Sequence, residues 1–122
     1  MGKITIEFYS LQDGTEPVKD FLMSLDVKMR AKMLRSIAFL EANGADAREP
    51  VSKHLGDGIF ELRAQFGNNV TRVLYFFFVG NKAILTNGFI KKTQKTPISE
   101  IDKAKRYRAE YASREDNNDQ LR

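Results

Sequence analysis

Residues 59–78, which read IFELRAQFGNNVTRVLYFFF, constrain the fold more than any other stretch of the chain. Two runs rich in apolar and β-branched residues flank a Gly-Asn-Asn sequence, a composition typical of two β-strands joined by a tight turn. Arg63 and Arg72 lie inside these runs. The chain must therefore build a sheet that accommodates two arginines.

The register of this hairpin decides where the arginines point. Side chains alternate across a strand, so Phe60 and Leu62 share one face while Glu61 and Arg63 share the other. A loop with an even number of residues puts Arg72 on the face of Arg63, and a three-residue loop puts it on the opposite face. The even register leaves one face apolar and is favoured. We predict that the polar face is exposed to water, where these side chains form either a cross-strand ion pair or a phosphate site.

The N-terminal part of the chain combines one strand with two helices. Residues 4–8 alternate apolar and polar side chains, as in a half-buried strand. A short helix at 17–25 begins at Pro17, and Asp26 can cap a longer helix at 27–42. The two helices should form an antiparallel hairpin on the sheet. Their predicted core residues are Val18, Phe21, Leu22, Leu25, Met29, Met33, Ile37 and Leu40.

The C-terminal part contains an antiparallel meander and one more helix. The helix is expected at 98–112, and the polar residues 113–122 should fray. The element order predicts a single α+β domain, residues 1–112, in which an antiparallel sheet of the N-terminal strand and the meander packs its helices on one face. The meander strands are predicted at Ile59–Phe66, 70–79 and 83–90.

Residues 45–58, ADAREPVSKHLGDG, are polar and contain Pro50 and two glycines. The sequence predicts the longest loop of the chain here. Long loops in compact domains are often functional, which makes this segment a candidate part of a site.

Composition excludes several classes of function. The chain has no cysteine, which rules out disulfides, thiolate zinc sites and cysteine nucleophiles, and its single histidine rules out a His-rich metal site. No apolar run approaches the roughly 20 residues of a membrane helix, and no signal peptide is visible. We expect a cytoplasmic protein that uses no metal or other cofactor and does not contact a membrane.

The net charge of +4 is unevenly distributed, because residues 91–108 carry seven basic side chains against two acidic ones. Such a patch indicates a polyanionic partner, with nucleic acid the first candidate, or a solvated helix face. Charge alone leaves both interpretations open. The basic residues are Lys91, Lys92, Lys95, Lys103, Lys105, Arg106 and Arg108.

Three segments, KHLGDGIFELR, TRVLYFF and GFIKKTQKTPISEIDKAKRYRAEY, resemble the RelE/ParE superfamily of bacterial toxins, with HigB-like, phage-derived toxins as the closest branch. The resemblance covers nearly the whole chain. It implies the toxin of a type II toxin–antitoxin system, an mRNA endonuclease that usually acts in the ribosomal A site and blocks translation. It also implies a HigA-like helix-turn-helix antitoxin, through which the complex binds operator DNA.

The resemblance also implies a set of site residues. Arg63 matches the arginine of the ELR motif, Arg72 matches the one before x-L-Y, and Lys91 or Lys92 matches the basic position after the last strand. Metal-free RNA cleavage proceeds by attack of a 2′-OH on the adjacent phosphate. Because arginine is a poor base but a strong bidentate phosphate ligand, Arg63 and Arg72 are expected to stabilise the transition state.

The base and the acid are harder to assign. Lys91 and Lys92 are candidates because neighbouring cations lower a lysine pKa, and His54 is a candidate because the ordinary pKa of histidine suits either role. Glu61 is a further candidate base, although an ion pair with Arg63 would keep its pKa low. The expected substrate-binding residues are Lys53, Lys95 and Glu61.

Two other functions fit the same fold. A ParE-like poison of DNA gyrase would cut no RNA. A small basic binding module would hold an antitoxin or RNA without catalysis. The paired arginines and the basic cluster favour the ribonuclease, since a gyrase poison needs no phosphate-cleaving site.

Overall fold

The computed structural model describes residues 3–91 and 95–120, which form a five-stranded sheet flanked by helices. This confirms the predicted α+β class. None of the helices in the described part has the length and apolar character needed to cross a bilayer. The elements are β1 (Thr5–Phe8), α1 (Pro17–Ser24), α2 (Val27–Asn43), a 3₁₀ turn (Gly44–Asp46), β2 (Ser52–Gly56), β3 (Ile59–Phe66), β4 (Asn69–Phe78), β5 (Lys82–Lys91) and α3 (Ile98–Gln120).

The sheet has the strand order β1-β5-β4-β3-β2 and differs from the prediction at both edges. The β3-β4-β5 meander is antiparallel, as predicted, but β1 pairs with β5 in parallel. Alternating apolar and polar residues predict a strand but not the direction in which it pairs. The parallel pairing of β1 with β5 therefore could not be predicted from the sequence. The predicted loop at 45–58 contains a fifth strand, β2. Lys53 and His54 at its centre are both exposed, so this edge strand lacks the apolar alternation that identified the others.

The hairpin of β3 and β4 has the even register. Arg63 pairs directly with Arg72, and Phe66 pairs with Asn69, which leaves a two-residue turn of Gly67 and Asn68. Gly67 has a φ of 63°, a conformation that glycine adopts without strain. Both arginines therefore lie on the same face of the sheet as predicted.

The prediction of a water-exposed sheet face is wrong, because α3 covers the face that carries the arginines. Leu74 and Phe76 alternate onto the same face as Arg72, so that face of β4 is largely apolar and requires a cover. Helix α3 continues to Gln120, beyond the predicted end near residue 112. The domain boundary at 112 stays a prediction. The residues that α3 contributes to this packing are Ile101, Ala104, Tyr107 and Tyr111.

The opposite face packs against the helical pair α1 and α2. Asp26 caps α2, as predicted, by accepting a hydrogen bond from Met29 N at 2.9 Å, and Gly44 ends that helix with a φ of 57°. The core on this face includes every apolar helix residue predicted above. Its sheet residues are Leu62, Ala64, Val73, Tyr75, Ala83 and Leu85.

A bulge at Thr86 reverses the alternation of β5 before the strand ends. Asn87 consequently faces α3, where its side-chain amide donates to a carboxylate oxygen of Glu100 at 2.9 Å. Gly88 faces α1, and a Cβ at this position would lie 2.4 Å from the ring of Phe21. The bulge thus fixes α3 on one side and lets α1 approach closely on the other.

Candidate active site

Glu61 is the centre of the candidate site. Its side chain is fully buried, on the face of β3 that α3 covers. One carboxylate oxygen accepts hydrogen bonds from Arg63 Nε at 3.0 Å and from Arg72 Nη1. The other accepts a hydrogen bond from the Thr96 hydroxyl. Two strands and the segment before α3 therefore converge on one carboxylate.

Glu61 remains ionised in this environment. Burial works to raise its pKa, but the hydrogen bonds from Thr96 and Arg63 and the positive charge of Arg72 outweigh burial and hold the pKa below its ordinary value. A carboxylate with such a low pKa is a weak base. The arrangement suits Glu61 to hold the arginines in place.

The two arginines differ in their access to a ligand. Arg72 is 6% exposed, and its Nε is buried with no hydrogen-bond partner in the described chain. The side chain of Arg63 is 22% exposed and uses Nε to contact Glu61. Across residues 3–91 and 95–120, neither terminal amine of Arg63 makes a hydrogen bond. Within the described residues, the partly exposed Arg63 therefore keeps both terminal amines for a ligand, whereas the buried Arg72 bonds to Glu61.

The side chain of Arg63 lines a small pocket of about 210 Å³ between β2 and the segment before α3. Lys53 lies directly across from Glu61 in the β2–β3 pairing, and exposed Lys95 precedes Thr96. Three cationic residues, Arg63, Lys53 and Lys95, therefore line one depression, an arrangement that attracts an anion. The complete lining is Lys53, His54, Leu55, Glu61, Arg63, Lys95 and Thr96.

His54 lies at the rim of this pocket. It pairs with Phe60 across β2 and β3, which places its side chain on the sheet face opposite Glu61. Its ring stacks on Phe60 with 4.6 Å between centroids and an interplanar angle of 28°. Nε2 accepts a hydrogen bond from Gly58 N at 3.2 Å.

The two lysines expected after the last strand lie wholly or partly outside the described residues. Lys91 is the final residue of β5 and its backbone pairs with Val70, but its side chain lies outside the described part of the chain. Lys92 falls between the two described ranges. Within those ranges, no group of three or more His, Asp or Glu residues could hold a metal ion.

Thr96 is the residue that sequence reasoning missed at this site. The Lys-Thr-Pro sequence before α3 is typical of a helix start, and a hydroxyl there indicates a cap. Its contact with Glu61 spans 35 residues of sequence. Only the packing of α3 on the sheet brings the two groups together, so no local signal could have revealed it.

The chain was compared with known protein families. Residues 20–109, about three quarters of the chain, match the family model described as phage-derived protein Gp49-like (DUF891). The matched region contains the whole candidate site. No curated protein matches the chain. The chain therefore belongs to the Gp49-like phage-derived protein family, a RelE-like family of type II toxin–antitoxin toxins.

Proposed function

We propose that this toxin is a HigB-like endoribonuclease that cuts messenger RNA in the ribosomal A site, blocks translation and works in the cytoplasm without a metal. The observation that carries the proposal is the state of Arg63. Its Nε donates to a buried carboxylate, and the side chain lines a pocket together with Lys53 and Lys95. A guanidinium fork is suited to bind two oxygens of one phosphate.

The chemistry needs stabilisation of negative charge. Attack of a 2′-OH on the neighbouring phosphate forms a phosphorane that carries more negative charge than the substrate. Donors fixed before the reaction stabilise that charge without reorganisation, and the loss of one such donor typically lowers the rate by about 10²–10³-fold. Arg63 makes the direct contact, and Arg72 acts through Glu61 and through its charge. Lys53 and Lys95 bind the flanking phosphates.

Proton transfer falls to the remaining predicted residues. His54 is the candidate general acid, which in its imidazolium form would give a proton to the leaving 5′ oxygen as the P–O5′ bond breaks. Lys91 and Lys92 are the candidate bases, since a lysine among cations has a lowered pKa. Glu61 serves the site by positioning Arg63.

The proposed partners follow from the toxin family. A HigA-like helix-turn-helix antitoxin neutralises the protein, and the complex reaches operator DNA only through that antitoxin. The toxin itself binds mRNA and the ribosome.

The proposal is tested by incubating purified protein with a defined mRNA, with and without programmed ribosomes, and mapping the new 5′ ends. We expect cuts within ribosome-bound codons, and a lower rate for Lys53→Ala. Lys19→Ala removes an exposed lysine from α1 on the other side of the sheet and should cut at the wild-type rate. Intact mRNA under every condition would reject the ribonuclease, and inhibition of gyrase supercoiling in parallel would identify the ParE-like alternative.

A further inference from the structure

A second depression lies on the other side of strand β2. It measures about 420 Å³ and shares Lys53 and His54 with the active-site pocket. Strand β2 is the edge of the sheet, so it forms a ridge with one pocket on each side. A single strand of RNA that crosses this ridge would contact both. The lining residues are Ala45, Ala47, Arg48, Glu49, Ser52, Lys53, His54 and Phe60.

The ridge presents a fixed aromatic surface. One face of the His54 ring stacks on Phe60, and the side chain is otherwise exposed. A second flat ring can stack on the exposed side at little cost in conformational entropy, because Phe60 and the Gly58 N–H already hold the imidazole in place.

Helix α3 holds the turn that orients His54. Lys105 Nζ lies 3.0 Å from a carboxylate oxygen of Asp57, and Arg108 Nη1 donates to the Asp57 carbonyl. Gly58 has a φ of 76°, and a Cβ there would lie 3.1 Å from Arg108 Nη1. Helix α3 therefore fixes the turn whose Gly58 N–H contacts the His54 ring.

The chemistry around the ring fits a nucleotide. Arg48 and Lys53 supply positive charge for a phosphate, and the Glu49 carboxylate can accept a hydrogen bond from an exocyclic amine of a base. Aromatic side chains flanked by cations are the usual means of binding single-stranded nucleic acid, because every base has a face that can stack.

We propose that this pocket, here called the base pocket, binds one RNA base by stacking on His54 while a neighbouring phosphate occupies the active-site pocket beside Arg63. The proposal rests on the proposed function, whose substrate it extends from a phosphate to an adjoining base. His54 thereby acts as a binding residue in addition to its candidate role in proton transfer.

The test measures the affinity of a short, fully 2′-O-methylated RNA, which cannot be cleaved, by fluorescence anisotropy. The proteins are wild type, His54→Ala and His54→Phe, with Lys19→Ala as control. We expect His54→Ala to weaken binding about tenfold, as for the loss of one stacked base. His54→Phe should keep wild-type affinity within about threefold, because phenylalanine stacks but transfers no proton.

A set of RNAs with one abasic position each locates the base. In wild type, one abasic position should weaken binding by about the same tenfold, and in His54→Ala that substitution should have no further effect. Equal losses in both proteins would overturn the base pocket, as would an absence of binding by wild type. Ribosome-dependent cleavage without this coupling would leave the ribonuclease intact and reject the base pocket alone. Coupling without cleavage would support the base pocket and reject the ribonuclease.

Discussion

The two faces of the sheet are built differently. The face under α1 and α2 is filled with aliphatic, aromatic and methionine side chains. The face under α3 combines an apolar cluster with Glu61 and Arg72, which are the only buried charged side chains among the residues that the structure describes. Burial of an ion pair adds little stability compared with apolar packing. The α1–α2 face therefore contributes mainly to the stability of the domain. On the α3 face, part of the core consists of Glu61 and Arg72, which position Arg63.

The largest effect is expected from Glu61→Gln. This substitution keeps the shape of the side chain but leaves Arg72 buried without its counterion, and we expect a loss of about 3–5 kcal/mol in the free energy of unfolding. Urea denaturation measures the loss. Glu41→Gln, at an exposed position on α2, should be close to neutral. A loss below about 1 kcal/mol for Glu61→Gln would show that the carboxylate does not support Arg72.

Met33→Ala probes the other face. Met33 is fully buried on α2, and its truncation should lower the free energy of unfolding by about 2–5 kcal/mol. Met33→Ala destabilises the protein by leaving a cavity, whereas Glu61→Gln does so by removing a charge. The loss for Met33→Ala should therefore be the same at about pH 5 and about pH 3, whereas the loss caused by Glu61→Gln should shrink over that range. A loss that varied between these two conditions would contradict the comparison of the two faces.

Gly88→Ala tests the close approach of α1 to β5. The added Cβ would lie 2.4 Å from the Phe21 ring, so the ring or the helix must move. Overpacking of this kind lowers stability by about 1–3 kcal/mol. Combining Gly88→Ala with Phe21→Ala should recover part of that loss in a double-mutant cycle. Additive losses would mean that the ring is not the obstacle.

The smallest effect is the pH dependence that Glu61 contributes. Its pKa is lower in the folded protein than its ordinary value of 4.5, so its stabilisation is fully present above about pH 4.5 and is lost as the pH falls through the folded pKa. The difference in unfolding free energy between wild type and Glu61→Gln should therefore shrink on acidification. Asp13 and Asp57 also have lowered pKa values. Wild type and Glu61→Gln both retain these residues, so their contributions cancel in the difference between the two proteins. A difference that stayed constant with pH would contradict the assignment.

The sequence predicted what depends on local pattern. The helices, the meander and the shared face of Arg63 and Arg72 follow from periodicity and from the Gly-Asn turn. It did not predict that the shared face is covered, although Leu74 and Phe76 beside Arg72 are apolar enough to have indicated it. The contact of Thr96 with Glu61 and the polar strand β2 arise from tertiary packing, which leaves no periodic trace in the chain.

Arg63 is proposed to contact the substrate, while Glu61 and Arg72 hold the Arg63 side chain in place. The most direct test measures ribosome-dependent mRNA cleavage and the free energy of unfolding for Arg63→Ala in one preparation. We predict a loss of cleavage of at least about a hundredfold, with unfolding within about 1 kcal/mol of wild type because Arg63 is partly exposed and Arg72 keeps its carboxylate. Wild-type cleavage by a stably folded Arg63→Ala protein would show that Arg63 does not stabilise the transition state.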